Sequence, residues 1–120
     1  MPHRLCGPTR TEHGQMSEQQ ARFSVGQVVH HRKFGYRGVI VGVDPEYRGT
    51  EEWYRIMARS QPPRDKPWYH VLVHDASHRT YVAERHLEPD SSGEQIDHPD
   101  LGRFFDTFER GFYRCRSKRQ

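Results

Sequence analysis

Hydrophobic positions fall in short bursts along the chain, separated by glycine and proline. Residues 1–22 carry no periodic apolar pattern and are expected to form a disordered leader, with Met16 an alternative start. From Phe23 the run through Val25, Val28 and Val29 predicts a strand. Lys33 to Gly38 reads as a glycine-punctuated turn, and Val39-Ile40-Val41-Gly42-Val43 as a second strand that stops at Asp44-Pro45. A period of two puts Val39, Val41 and Val43 on one face and Ile40 on the other, while the glycines signal a bulge, a strong bend or a close approach of another chain.

The period changes at Thr50. A capping residue followed by Glu51 and Glu52 suits the positive end of a helix, and Trp53, Ile56 and Met57 fall at i, i+3 and i+4. A short helix inserted between strands is expected, ended by Pro62, Pro63 and Pro67. Trp68 to His74 then reads as a third strand, apolar on both faces, and Arg79 to Glu84 as a fourth. Leu87 is carried back to the core by a single turn. Pro99 in a first turn, followed by the stripe Leu101, Phe104, Phe105 and Phe108, predicts a C-terminal helix. The expected fold class is mainly β: a small SH3-like, partly open β-barrel with one inserted short helix and a C-terminal helix. It spans residues 23–113, between the leader and a basic tail at 114–120.

Composition narrows the function. The chain has 120 residues with 32% hydrophobic and 12% aromatic residues, enough for one modest core. No apolar run approaches the roughly 18–20 residues of a membrane span, the N-terminus has no signal-peptide core, and Cys6 and Cys115 make no disulfide framework, so a reduced, cytoplasmic protein is expected. The pI of 9.1 invites a nucleic-acid reading. Its source is uneven, however: residues 23–100 hold 10 Lys and Arg against 12 Asp and Glu, and most of the excess basicity lies in residues 101–120.

The ordered motifs Phe23-x-Val-Gly-Gln-Val-Val-x-His-Arg, Phe34-Gly-Tyr-Arg-Gly-Val-Ile, Val43-Asp-Pro-x-Tyr, Trp53-Tyr, Lys66-Pro-Trp-Tyr-His-Val-Leu-Val and Thr80-Tyr-Val-Ala-Glu-x-x-Leu resemble the HspQ or YccV-like hemimethylated-DNA-binding family over residues 23–113. The resemblance implies a small SH3-like barrel. It also implies a heat-shock or quality-control role as an adaptor or specificity factor, with an ATP-dependent protease or its adaptor, and their substrates, as partners. Hemimethylated DNA is the alternative partner that the family name implies. The segment His98-Pro-Asp-Leu-Gly-Arg-Phe-Phe-Asp-Thr-Phe resembles the F-box-protein branch of the family, although these 120 residues contain no F-box.

Candidate residues follow from chemistry. Trp53, Tyr54, Trp68, Tyr69, Tyr47 and Phe34 are many large aromatics for a small barrel; they either pack helix on sheet or line a partner groove. The partner surface is assigned to Phe34, Tyr36, Arg37, Trp53, Trp68 and Tyr69. The alternative DNA surface is the basic cluster His31, Arg32, Lys33 and Arg37, whose cations suit phosphates. His70, His74 and His78 recur every four residues, but on a strand and its loop they do not converge as zinc ligands, and His74-Asp75-x-Ser77 places triad residue types in one loop where they cannot face one another. Neither a metal, nor a cofactor, nor an enzymatic site is expected.

Overall fold

A computed structural model of the chain describes residues 21–116; the leader up to residue 20 and the tail from residue 117 lie outside the described residues. Five strands form one antiparallel sheet in the order β4-β3-β2-β1-β5: β1 Val28–His31, β2 Arg37–Asp44, β3 Trp68–Val73, β4 Arg79–Ala83 and β5 Leu87–Pro89. The sheet curls without closing, so the expected mainly β, partly open architecture is what the chain adopts.

Both faces of the sheet are apolar because each covers a separate core. On the inner face Phe23, Val29, Ile40, Tyr69, Val71, Val82 and Leu87 pack together. On the outer face Val28, Val39, Val41 and Leu72 meet Ile96, Phe105 and Tyr113. The glycine signal in β2 resolves into two features. The register against β3 shifts between Ile40 and Gly42, and this bulge moves Val43 onto the inner face with Ile40 instead of leaving it with Val39 and Val41. Gly38 permits close approach: a Cβ there would lie 2.5 Å from Val71 Cγ1 and 2.6 Å from Leu72 O.

The helix α1, Glu51–Met57, starts where expected, with Thr50 Oγ1 accepting from Trp53 N at 3.0 Å. Its buried face differs from the expected stripe. Trp53 and Tyr54 turn toward Trp68 and Ala83, whereas Ile56 and Met57 stay 56% and 61% exposed.

The expected C-terminal helix is only one turn, α2 Leu101–Phe104, followed by a hairpin of β6 Phe105–Glu109 and β7 Phe112–Cys115. The cause is the turn Arg110-Gly111. Both residues have positive φ, 53° and 83°, the signature of the two-residue hairpin turn whose twist matches its strands. The ribbon's register shifts between Phe105 and Thr107, and Phe105, Phe108 and Tyr113 all pack on the outer core. Arg114 and Cys115 belong to β7, so the basic tail starts later than its composition suggests.

Candidate functional site

A groove of about 760 Å³ runs between two walls. One wall is the β1–β2 turn with His31, Phe34 and Tyr36, joined by His86 from a single 3-10 turn, Glu84–His86. The other is α1 and the chain after it, with Trp53, Met57, Arg59 and Ser60, and Trp68 and Tyr81 form the floor.

The turn wall is organised by a neutral histidine. His31 Nδ1 accepts from the backbone N–H of Lys33 at 3.1 Å and of Phe34 at 3.0 Å, and its ring stacks on Phe34 at 4.7 Å and on His86 at 5.6 Å. A nitrogen that accepts two N–H groups carries no proton. Burial, followed by the adjacent His86, His30 and Lys33, lowers the His31 pKa to about 4.

The floor is held from below. Trp68 Nε1 donates to Pro63 O at 3.1 Å, and its ring meets Tyr47 at 4.8 Å and Tyr81 at 5.2 Å. The Tyr81 hydroxyl donates to Asp44 Oδ2 at 2.6 Å; burial and that carboxylate push its pKa upward, so it stays protonated. His70 Nε2 lies 3.3 Å from the same oxygen. Asp44 is thus turned to Tyr81 and His70, and among the described residues no Asp or Glu lines the groove. Lys33, Arg59 and Arg79 do line it, and none of the three makes an ion pair among the described residues.

Phe34, Tyr36, Trp53 and Trp68 are therefore brought together, while two residues of the expected partner surface are not. The Arg37 Nε lies 3.2 Å from Asp90 Oδ2 and its guanidinium donates to Glu94 O, away from the groove. Tyr69 is fully buried in the inner core: its hydroxyl donates to Glu84 Oε2 at 2.6 Å and accepts from Phe23 N at 3.2 Å. It supports the fold and offers no surface. Tyr69→Phe is expected to cost about 1–2 kcal/mol of stability and to leave the affinity of the folded protein for any groove ligand unchanged; denaturant unfolding and titration of the same samples check this.

Of the DNA set, Arg32 and Lys33 are exposed at the turn, His31 is buried and uncharged, and Arg37 is paired with Asp90. Sequence reading missed Tyr81, Arg59, Arg79 and His86. Tyr81 had a usable signal, since the short loop between β3 and β4 fixes it opposite His70, where the rings meet at 4.6 Å. Arg59 had none, because its place depends on how the proline-rich segment folds back.

Fold and groove together define a small, mainly β, open-barrel domain built around a cationic aromatic groove. The chain belongs to the family described as hemimethylated DNA-binding protein YccV like, whose model matches residues 21–111. F-box only protein 21 of Mus musculus is 39% identical over 102 residues, covering 81% of this chain and 16% of that protein. The Homo sapiens protein of the same name is 39% identical over 93 residues, covering 76% of this chain and 15% of that protein. The chain thus spans about a sixth of the length of these relatives.

Proposed function

We propose that the chain is a non-enzymatic DNA-binding module of the cytoplasm that needs no cofactor and prefers hemimethylated duplex. The observation that supports this most is the set of exposed cations Arg32, Lys33, Arg59 and Arg79 around the groove, none of them in an ion pair among the described residues. Arg37 and Arg64, by contrast, are neutralised by Asp90 and Glu51. Unpaired cations attract phosphates, and Phe34, 71% exposed beside them, offers a stacking face for a base. The family description agrees with this reading.

Four phosphate contacts set a salt slope of about −3.6, so duplex affinity is expected to fall roughly 10²-fold between ~50 and ~200 mM salt. Lys33→Ala or Arg79→Ala should reduce that slope by about 1. Titrating unmethylated, hemimethylated and fully methylated duplexes at both salt concentrations is the test. Equal affinity for all three removes the methylation preference, and a flat salt response removes the DNA reading.

A second reading is an adaptor or specificity factor for ATP-dependent proteolysis. It is favoured by the aliphatic side chains of Ile56 and Met57, left exposed on α1 beside the groove. Docking of that kind changes little with salt, so the same titration series separates the two readings.

A further inference from the structure

All five residues of β4, Arg79 to Ala83, line the groove. Alternate residues of a strand face opposite sides of a sheet, so a groove that touches every one of them runs along the strand's edge and not over one face. β4 is the terminal strand of its sheet, which leaves that edge without a neighbour.

The ladder shows which backbone groups stand open. Glu84 N donates to Pro67 O at 3.1 Å and Val73 N to His78 O at 3.4 Å, which fixes the bonded pairs at the two ends of the β3–β4 register. Bonded and non-bonded pairs alternate in an antiparallel ladder, so Thr80 and Val82 turn their backbone groups toward β3. Arg79 and Tyr81 turn theirs outward, and among the described residues no backbone or side-chain group bonds them there. The opposite edge is treated differently, since β5 has three residues and ends in Pro89, a usual way to block strand addition.

We propose that the groove binds an extended, acidic peptide segment of another protein, which adds as a further strand to β4. Main-chain bonds to Arg79 and Tyr81 would supply affinity, and the two walls would read alternate side chains. Successive residues of the added strand point to opposite faces, one set toward Trp53 and Met57 and the next toward Tyr36 and Phe34. The chemistry is acidic because Lys33, Arg59 and Arg79 line the groove and, among the described residues, no carboxylate does. This inference shares Lys33, Arg59 and Arg79 with the DNA reading and differs from it in using the open backbone groups of Arg79 and Tyr81, which phosphate contacts do not need.

The test is a titration of the full chain with a capped six-residue peptide of alternating apolar and acidic residues. Binding should slow hydrogen exchange at the Arg79 and Tyr81 amides by at least about tenfold. A peptide of the same sequence, N-methylated at alternate residues in each of the two possible phases, should lose at least about tenfold in affinity in one phase and little in the other. Arg79→Glu should weaken the unmodified peptide by a similar factor and leave the thermal unfolding midpoint close to that of the parent. Equal binding of both methylated peptides, binding without protection at Tyr81, or absence of peptide binding overturns the inference. A hemimethylated duplex titrated in parallel should bind without protecting the Tyr81 amide; protection by the duplex and not by the peptide would assign the groove to nucleic acid and also overturn it.

Discussion

Trp68→Ala is expected to cost about 3–5 kcal/mol, the usual loss for removing a buried aromatic and leaving the cavity. Against the 5–15 kcal/mol that a domain of this size commands, the variant would be marginally folded. Trp68 is only 2% exposed and lies in contact with Tyr47, Trp53, Tyr54 and Tyr81. It is the floor of the groove and also the surface that holds α1 in place. The helix has seven residues and no fully buried side chain, too short to persist by its own hydrogen bonds. Its anchors are Trp53 and Tyr54 on this aromatic cluster, with the Arg64 to Glu51 ion pair outside it. Loss of Trp68 should therefore release α1 before the sheet unfolds. Urea unfolding should show the lower midpoint, and hydrogen exchange at 30-fold or more excess over the parent should appear in residues 54–58 while Val39 to Val41 remain protected. A loss under about 1 kcal/mol would mean that the cluster is not what holds the helix.

How much of this was legible in the sequence depends on whether the signal was local. The strands around Val39 and Val71, the capped helix at Thr50 and the return of Leu87 to the core each rest on a few adjacent residues, and each forms as expected. The C-terminal segment misled because Leu101, Phe104, Phe105 and Phe108 fit a helical stripe equally well. Arg110-Gly111 decides for a hairpin, but only once both residues adopt positive φ, and arginine does not announce that. The bulge in β2 had its glycine, but which residue would change face was set by pairing with β3. The site divides the same way. Phe34, Tyr36, Trp53 and Trp68 were visible as aromatics, whereas the open β4 edge between them exists only in the assembled sheet, because a strand's edge position is a property of topology. Arg37 and Tyr69 were misplaced since their partners, Asp90 and Glu84, lie 53 and 15 residues away in the chain.

Acidification should loosen the turn wall of the groove before the rest of the domain. The His31 pKa is about 4 in the folded protein against 6.5 ordinarily, so between these values the unfolded chain binds a proton that the native one refuses. Stability is then complete above pH 6.5, declines as pH falls toward 4, and levels off below it. At about 1.4 kcal/mol per pKa unit the total is on the order of 3 kcal/mol. His86, whose pKa burial and the nearby Arg85 and Lys33 also depress, adds to the decline in the same direction. Protonation would set an N–H at His31 Nδ1 against the N–H groups of Lys33 and Phe34, three donors with no acceptor, so the turn that presents Phe34 must open. Asparagine can still accept at that position but does not titrate. His31→Asn is therefore expected to be less stable than the parent at pH 7, through loss of the stack on Phe34 and His86, and to show a shallower decline on acidification. Urea unfolding at several values from pH 7 to pH 4.5 checks the two slopes, and the His31 ring resonances should titrate near 4. Parallel slopes in parent and variant would place the acid sensitivity elsewhere; converging curves, with affinity for a groove ligand falling over the same range, would make this one ring the support on which the turn wall depends.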